Sequence, residues 1–205
     1  MTIAPDVFTS LAPQGYEAIR EQVRNGDILL CSARDAGSRL IRWATRSQWS
    51  HIAIAFRLQE IDRVMALECV EHIGVRAVPL SDFIRRTSSG QKPYPGKILL
   101  ARHAAMAAQS DAAAMKRITT FAFDRLGTHF SQKEAAKIGL RLALSRLDIK
   151  LPGRLQPDDE YICSEYVARC LAAVGIAIPW DGLGFIAPSD FALDPDIEAV
   201  AQVRT

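Results

Sequence analysis

The sequence predicts an α+β fold: an antiparallel sheet packed against helices, with extra helices in the second half. Two observations carry this. Period-two alternation is concentrated between residues 26 and 101, and helical spacing dominates from residue 110 onward. Apart from two short helices among the strands, the segments lack the regular strand–helix alternation that a parallel sheet with crossover helices requires. The chain has 205 residues, 49% of them apolar and 23% charged. That suits one domain over 1–205, with a core from about residue 24 to about 192.

Residues 16–23 have the spacing of a short helix. Gly26-Asp27-Ile28-Leu29-Leu30-Cys31 reads as a turn feeding a buried strand. Gly37-Ser38 opens a helix, with Ser38 as N-cap and Leu40, Ile41 and Ala44 on its apolar side. Residues 50–56 alternate, with His51, Ala53 and Ala55 on one face and Ile52, Ile54 and Phe56 on the other. Residues 63–69 form the next strand, with Val64, Ala66 and Glu68 on one face. Residues 73–78 and 97–101 complete the strand set. Between them, Pro79-Leu80-Ser81-Asp82 turns into a short helix ending near Arg86, and 88–95 is loop.

Ser110 caps a predicted helix to Leu126, which Gly127 stops. Residues 131–147 read as a further helix that mixes Lys133, Lys137, Arg141 and Arg146 with Ile138, Leu142 and Leu144. A surface helix with a solvated basic side fits this pattern, and weak membrane-surface contact through 131–147 is its second reading. Residues 151–159 are loop. A last helix runs over 163–174 and stops at Gly175.

The net charge is +2, from 25 basic and 23 acidic residues. This balance gives no reason to expect a nucleic-acid partner, which calls for a basic stripe or cluster. No basic leader followed by an apolar core opens the chain, and no window approaches the roughly 18 apolar residues of a membrane span. A cytoplasmic location is the expectation. Of the cysteines Cys31, Cys69, Cys163 and Cys170, none forms a C-x-x-C pair. In a long, core-rich chain free thiols are the expected state. Cys69 and His72 supply one C-x-x-H pair, where a closed zinc site needs four ligands. No metal or cofactor is expected.

Cys163 lies at the predicted start of a helix, within Tyr161-Ile162-Cys163-Ser164-Glu165-Tyr166. Unpaired N–H groups there favour thiolate over thiol and can hold an oxyanion. Tyr166, Val167, Cys170, Leu171 and Val174 follow at helical spacing, so Cys163 ends a buried stripe. By position alone a lone Cys on an apolar helix face is more often an inert core thiol. His51 adds to the case. If Phe56 faces Arg63 across a hairpin, with 57–62 as the loop, His51 faces Glu68 directly, at roughly 4.5–5.5 Å between Cβ atoms. A carboxylate there orients one ring nitrogen and leaves the other as a base toward a thiol. His129, in the loop Gly127-Thr128-His129-Phe130, could line a cleft.

Taken together, these segments resemble the circularly permuted NlpC-type, papain-like cysteine hydrolases, the YiiX- or YaeF-like group. The matching pieces are Gly26-Asp27-Ile28-Leu29, Ser50-His51-Ile52-Ala53-Ile54, Leu67-Glu68 with Gly74-Val75, Tyr161-Ile162-Cys163-Ser164-Glu165, and Pro188-Ser189-Asp190-Phe191. The resemblance implies a papain-like core, with Cys163 as nucleophile, His51 as base and Glu68 as third polar member. It also implies Tyr161 as a residue lining the site, with Ser50 and His129 as further substrate or oxyanion contacts. Thr128-His129 stands where such proteins often carry Tyr-Asp. The implied activity is cleavage of an amide, isopeptide or thioester bond in a peptide-like or acyl substrate. Lipid-directed acyl transfer or lipase action with the same residues is an alternative, and a non-catalytic peptide- or acyl-binding module is another.

Overall fold

The computed structural model describes residues 2–85, 93–109, 111–130, 162–179 and 185–205. Its centre is a seven-stranded sheet in the order β1-β7-β6-β2-β3-β4-β5. The strands are β1 (Pro13–Gln14), β2 (Asp27–Ala33), β3 (His51–Leu58), β4 (Arg63–Val70), β5 (Gly74–Pro79), β6 (Gly96–His103) and β7 (Ile197–Val203). All neighbours are antiparallel except β1 with β7. The described helices are α1 (Val7–Ser10), α2 (Tyr16–Gln22), α3 (Ala36–Thr45), α4 (Leu80–Arg85), α5 (Ala104–Ala107), α6 (Ala112–Asp124), α7 (Cys163–Ala172) and α8 (Pro188–Leu193).

Both faces of the sheet are covered. One face buries Ile28, Leu30, Ile52, Ile54, Phe56 and Leu67 against Ile118 and Ala122 of α6 and against Tyr166, Val167, Cys170 and Leu171 of α7. The other buries Leu29, Cys31, Ala53, Ala55 and Ala66 against Ile19 of α2 and Leu80, Phe83 and Ile84 of α4. Burial on both faces is why β2 reads as an unbroken apolar run rather than an alternation. The stripe predicted from Cys163 to Leu171 is the face by which α7 meets the sheet. Tyr166 buries its ring there and donates its hydroxyl hydrogen to the Ala122 carbonyl at 2.8 Å, which joins α7 to α6.

Two caps differ from expectation. Asp35, not Ser38, caps α3: its carboxylate accepts the Ser38 N–H at 2.9 Å and the Ser38 hydroxyl at 2.6 Å. An Asp three residues ahead outcompetes a serine inside the first turn because its charge also suits the helix N-terminus. Likewise Asp111 caps α6 by accepting the Ala113 N–H; Ser110 lies outside the described residues, and α6 ends at Asp124, before Leu126. The helix expected over 131–147 and the loop over 151–159 also lie outside the described residues.

The expected hairpin register is shifted. Phe56 pairs with Met65, not Arg63, and Leu58 pairs with Arg63. A tight 3-10 turn, Gln59–Ile61, closes the hairpin with Asp62 in the left-handed region. The displacement is two residues, an even number, so the side chains stay on their expected faces.

At one end of the sheet a buried ion pair holds β2 to β6. Arg102 donates to both Asp27 carboxylate oxygens at 2.7 Å, and also to the Gln22 carbonyl at 2.8 Å. Truncating one member of such a pair leaves its partner charged and buried. Asp27→Ala is therefore expected to cost about 3–5 kcal/mol. A urea titration should show a lower midpoint at unchanged slope.

Candidate functional site

His51 is the first residue of β3, at the sheet end where β2 pairs Cys31 with His51. Ser50, just before it, is buried. Its N–H donates to the Cys31 carbonyl at 2.8 Å, and its hydroxyl oxygen accepts the Ala33 N–H at 3.0 Å. The serine expected to contact substrate or an oxyanion is instead engaged by the β2 backbone, and its effect is to hold the start of β3 in place.

The ladder between β3 and β4 stops at Ile54 and Leu67. Beyond that point Glu68 and His51 lie diagonally rather than directly opposite, and the longer glutamate side chain spans the gap. Glu68 Oε2 lies 2.6 Å from His51 Nε2. The other carboxylate oxygen, Oε1, accepts Arg76 Nε at 2.9 Å and Nη2 at 2.6 Å. Arg76 is the cross-strand partner of Glu68 on β5. No local pattern marks Arg76: only the register of the 73–78 strand against 63–69 sets it beside Glu68.

Cys163 opens α7 after Ile162, whose extended backbone leads into the helix with no side-chain cap. With Nε2 held by Glu68, the ring nitrogen left toward Cys163 is Nδ1, and the imidazole lies close enough to the thiol for the two to favour each other's charged forms. The Ile52 and Ser164 N–H groups lie on the side of the sulfur that favours its ionised form. By alternation His51 and Glu68 share the parity of Ala53 and Ala66, while Cys163 packs with the cluster on the opposite face. All three lie toward the same end of the sheet, where the pairing of β3 with β4 has stopped. Ser164 fixes the helix start by donating its hydroxyl hydrogen to the Ile186 carbonyl at 2.6 Å. Glu165 is drawn toward Arg169, one turn on, at 2.9 Å.

The electrostatics follow from this geometry. Burial works against an ionised Cys163, but the His51 charge, the His51 hydrogen bond and the two N–H groups outweigh it and hold the thiol below its usual value. Burial would lower His51, yet Cys163 and Glu68 together push the imidazole up to about 10. Burial raises Glu68, while His51 and Arg76 beside it bring it below the usual carboxylate value. The other thiols are buried; desolvation pushes Cys170 up to about 12 and raises Cys31 and Cys69 strongly. Cys163, partly exposed, is thus the only cysteine disposed to react.

His129 is exposed, in a loop clamped to β5: the Val75 N–H donates to the Thr128 carbonyl and the Gly127 N–H to the Val75 carbonyl. Gly74 makes this approach possible. A Cβ there would fall 2.1 Å from the Thr128 oxygen, and its φ of +89° suits glycine. The loop borders the edge of the sheet beside Arg76. Tyr161 lies outside the described residues.

Among the described residues, His103, Asp194 and Asp196 come within metal-ligand reach of one another, at the opposite end of the sheet. His103 Nδ1 accepts the Ala105 N–H at 3.1 Å, so Nε2 carries the hydrogen that a ligating nitrogen must lack. That leaves two carboxylates, which is too few for a zinc site.

Glu68→Gln tests the orienting role. It removes the charge that favours imidazolium and the acceptor that selects the tautomer. A fall in turnover of about 10²–10⁴-fold is expected. The alkaline limb of the pH–rate profile should move below about 10, because His51 loses a stabilising charge.

Residues 22–182 match the family described as permuted papain-like amidase enzymes, YaeF/YiiX, C92. Among solved structures, the chain is similar to the crystal structure of the metalloprotein yiiX from Escherichia coli O157:H7. The two share 17% identity with a TM-score of 0.62, over 90% of this chain and 99% of that one. No curated protein sequence matches.

Proposed function

This chain belongs to the permuted papain-like amidase family, and on that premise we propose that it hydrolyses an amide or isopeptide bond, or a thioester, through an acyl-enzyme on Cys163. The observation that supports this reading is His51 set between Cys163, which pushes the imidazole toward its charged form, and Glu68 at 2.6 Å, whose other oxygen Arg76 holds.

In the first step His51 Nδ1 holds the proton of Cys163, and the thiolate attacks the carbonyl carbon. The carbon–sulfur bond forms as the carbonyl π electrons move to oxygen. The Cys163 N–H at the start of α7 is a suitable donor to that oxyanion. The oxyanion then collapses, the carbon–nitrogen bond breaks, and the imidazolium gives its proton to the leaving amine. In the second step His51 takes a proton from water, the resulting hydroxide attacks the acyl carbon, and the thiol is regenerated with a free carboxylic acid. Glu68 holds the ring in the tautomer that keeps Nδ1 as base, and Arg76 keeps Glu68 ionised and still.

The test is a panel of aminoacyl aryl amides, γ-glutamyl and ε-lysyl isopeptides and acyl thioesters, quenched in acid and read by intact-protein mass spectrometry. An acyl mass on Cys163 that decays as product appears supports the reading. Turnover of a substrate with no adduct on Cys163 under any quench time, and unchanged turnover after the thiol is blocked, would falsify it. A binding-only module would give neither adduct nor product.

A further inference from the structure

We infer that the end of the sheet opposite Cys163 holds a hard divalent cation, of the Mg²⁺ or Ca²⁺ class, between Asp194 and Asp196. This site is independent of the catalytic reading. His103 is the last residue of β6 and pairs with Ile197, the first of β7. Asp194 follows the last residue of α8, and Asp196 leads into β7. One side-chain atom from each of His103, Asp194 and Asp196 lies within 4.8 Å of the other two. Two oxygens on one such cation sit at most about 4–5 Å apart, twice the metal–oxygen distance.

The observation that points to a ligand is Asp194 itself. Its side chain is only 2% exposed. Oδ1 accepts the Asp196 N–H at 2.9 Å, while Oδ2 has no hydrogen-bond partner among the described residues. A buried carboxylate oxygen left so is costly. His103 does not meet the need: its Nε2 lies 3.8 Å from Oδ2, beyond hydrogen-bonding distance. Among the described residues, neither carboxylate has a lysine or arginine partner, and Arg102, next to His103, is engaged by Asp27 and the Gln22 carbonyl. Asp194 also stands at the C-terminus of α8, whose last turn carries no basic residue, so the helix dipole works against its charge.

A cation answers each of these conditions. It takes Oδ2 as a ligand, draws in the exposed carboxylate of Asp196 from the solvent side, and completes its shell with water, as ions held by one or two carboxylates do. His103 stays outside that shell. Its Nδ1 accepts the Ala105 N–H, so Nε2 carries the ring's hydrogen, and an all-oxygen shell suits a hard ion rather than zinc. The carboxylates stand on a fixed turn: the Asp196 carbonyl accepts the Ala104 N–H at 2.7 Å, and the Asp194 carbonyl accepts the Ile197 N–H at 3.2 Å. A bound ion would join the end of α8 to the paired ends of β6 and β7.

The experiment is titration of the full chain, first dialysed against chelator, with Mn²⁺. This ion shares the oxygen-ligand preference of Mg²⁺ and Ca²⁺, and its EPR signal counts what remains free. A single Mn²⁺ per chain is expected, displaced by Mg²⁺ or by Ca²⁺, and the ion that displaces it at the lower concentration identifies the occupant. Asp194→Asn and, separately, Asp196→Asn should each weaken binding by about tenfold or more. Both keep the side-chain shape, and the second changes an exposed residue, so it tests the site even where the first folds poorly. Added Mg²⁺ or Ca²⁺ should raise the melting temperature of wild type above that in K⁺ of equal ionic strength, and leave both variants unmoved. Cys163→Ala should bind Mn²⁺ as wild type does; loss of binding there would put the ion at the catalytic end and overturn the inference. So would the absence of saturable binding up to about 10 mM Mn²⁺, well above the range of weak oxygen-ligand sites. Binding unaltered in both asparagine variants, or melting temperatures equal in Mg²⁺, Ca²⁺ and K⁺, would overturn it too, the latter being the result if water alone serves Oδ2.

Discussion

Cys163→Ala is expected to abolish turnover, by about 10⁴- to 10⁶-fold, with the fold intact. In the proposed mechanism the sulfur carries the acyl chain, and alanine supplies neither that nucleophile nor the partner of His51 Nδ1. The lost side chain is small and partly exposed, so the cost in stability should be small beside the loss in rate. The measurement is hydrolysis of whichever amide or thioester gives an adduct, with a denaturation curve on the same sample. Residual activity within about tenfold of wild type would sink the acyl-enzyme mechanism, because the loss of a nucleophile cannot be so mild. Cys163→Ser is the companion variant. It keeps the hydrogen bond to His51 but raises the nucleophile's pKa, so a loss nearly as large is expected.

His51→Ala is expected to suppress iodoacetamide labelling of Cys163 at pH 7 by about 100-fold or more. The direction follows from the opposing forces at the sulfur. Burial raises the thiol; His51, by charge and hydrogen bond, lowers it. Without the imidazole only the Ile52 and Ser164 N–H groups remain to oppose burial, so the thiol should titrate above its usual value. In wild type the thiolate–imidazolium pair occupies a defined window. It is lost on the acid side as pH falls through the depressed Cys163 value, and on the alkaline side as His51 deprotonates near 10. Labelling is read cysteine by cysteine with mass spectrometry across that range. Cys31, Cys69 and Cys170 are internal controls, since burial raises all three. If Cys163 labels no faster than these, or labels equally fast without His51, the coupling between the two groups is absent and the family match describes architecture only.

The two variants separate chemistry from scaffold. Cys163→Ala removes the reacting atom and leaves His51, Glu68 and Arg76 in place. His51→Ala keeps the reacting atom and removes what activates it. A protein that loses turnover in both, but thiol reactivity only in proportion to the imidazole, behaves as a cysteine amidase with a charged resting pair.

Much of this fold was legible because it is written in local patterns. Alternation over 50–56 and 63–69 identified β3 and β4, and helical spacing after Cys163 identified the buried side of α7. Strand β7 escaped because its burial does not alternate: a register shift beside Leu100 and Ala101 interrupts its pairing with β6. Strand β1 escaped because it comprises only Pro13–Gln14 and exists through its pairing with β7, at the far end of the chain. The helix cap at Asp35 was misplaced by three residues because Ser and Asp both satisfy the same local rule, and only the folded loop shows which one accepts the bonds.

For the site, helix position and strand parity made Cys163, His51 and Glu68 candidates, and the resemblance to the permuted papain-like family supplied their roles. Parity survives an error of two residues in register, so the pairing of His51 with Glu68 held although the assumed alignment did not. Tertiary structure decided everything that depends on how separate segments meet. It placed Arg76 on Glu68, engaged Ser50 with the β2 backbone, and brought the start of α7 with Cys163 close to His51. The physical reason is that periodicity records which face of its own element a residue lies on. Where two strands part, and which N–H groups are thereby freed, is set by the packing of helices onto the sheet from elsewhere in the chain.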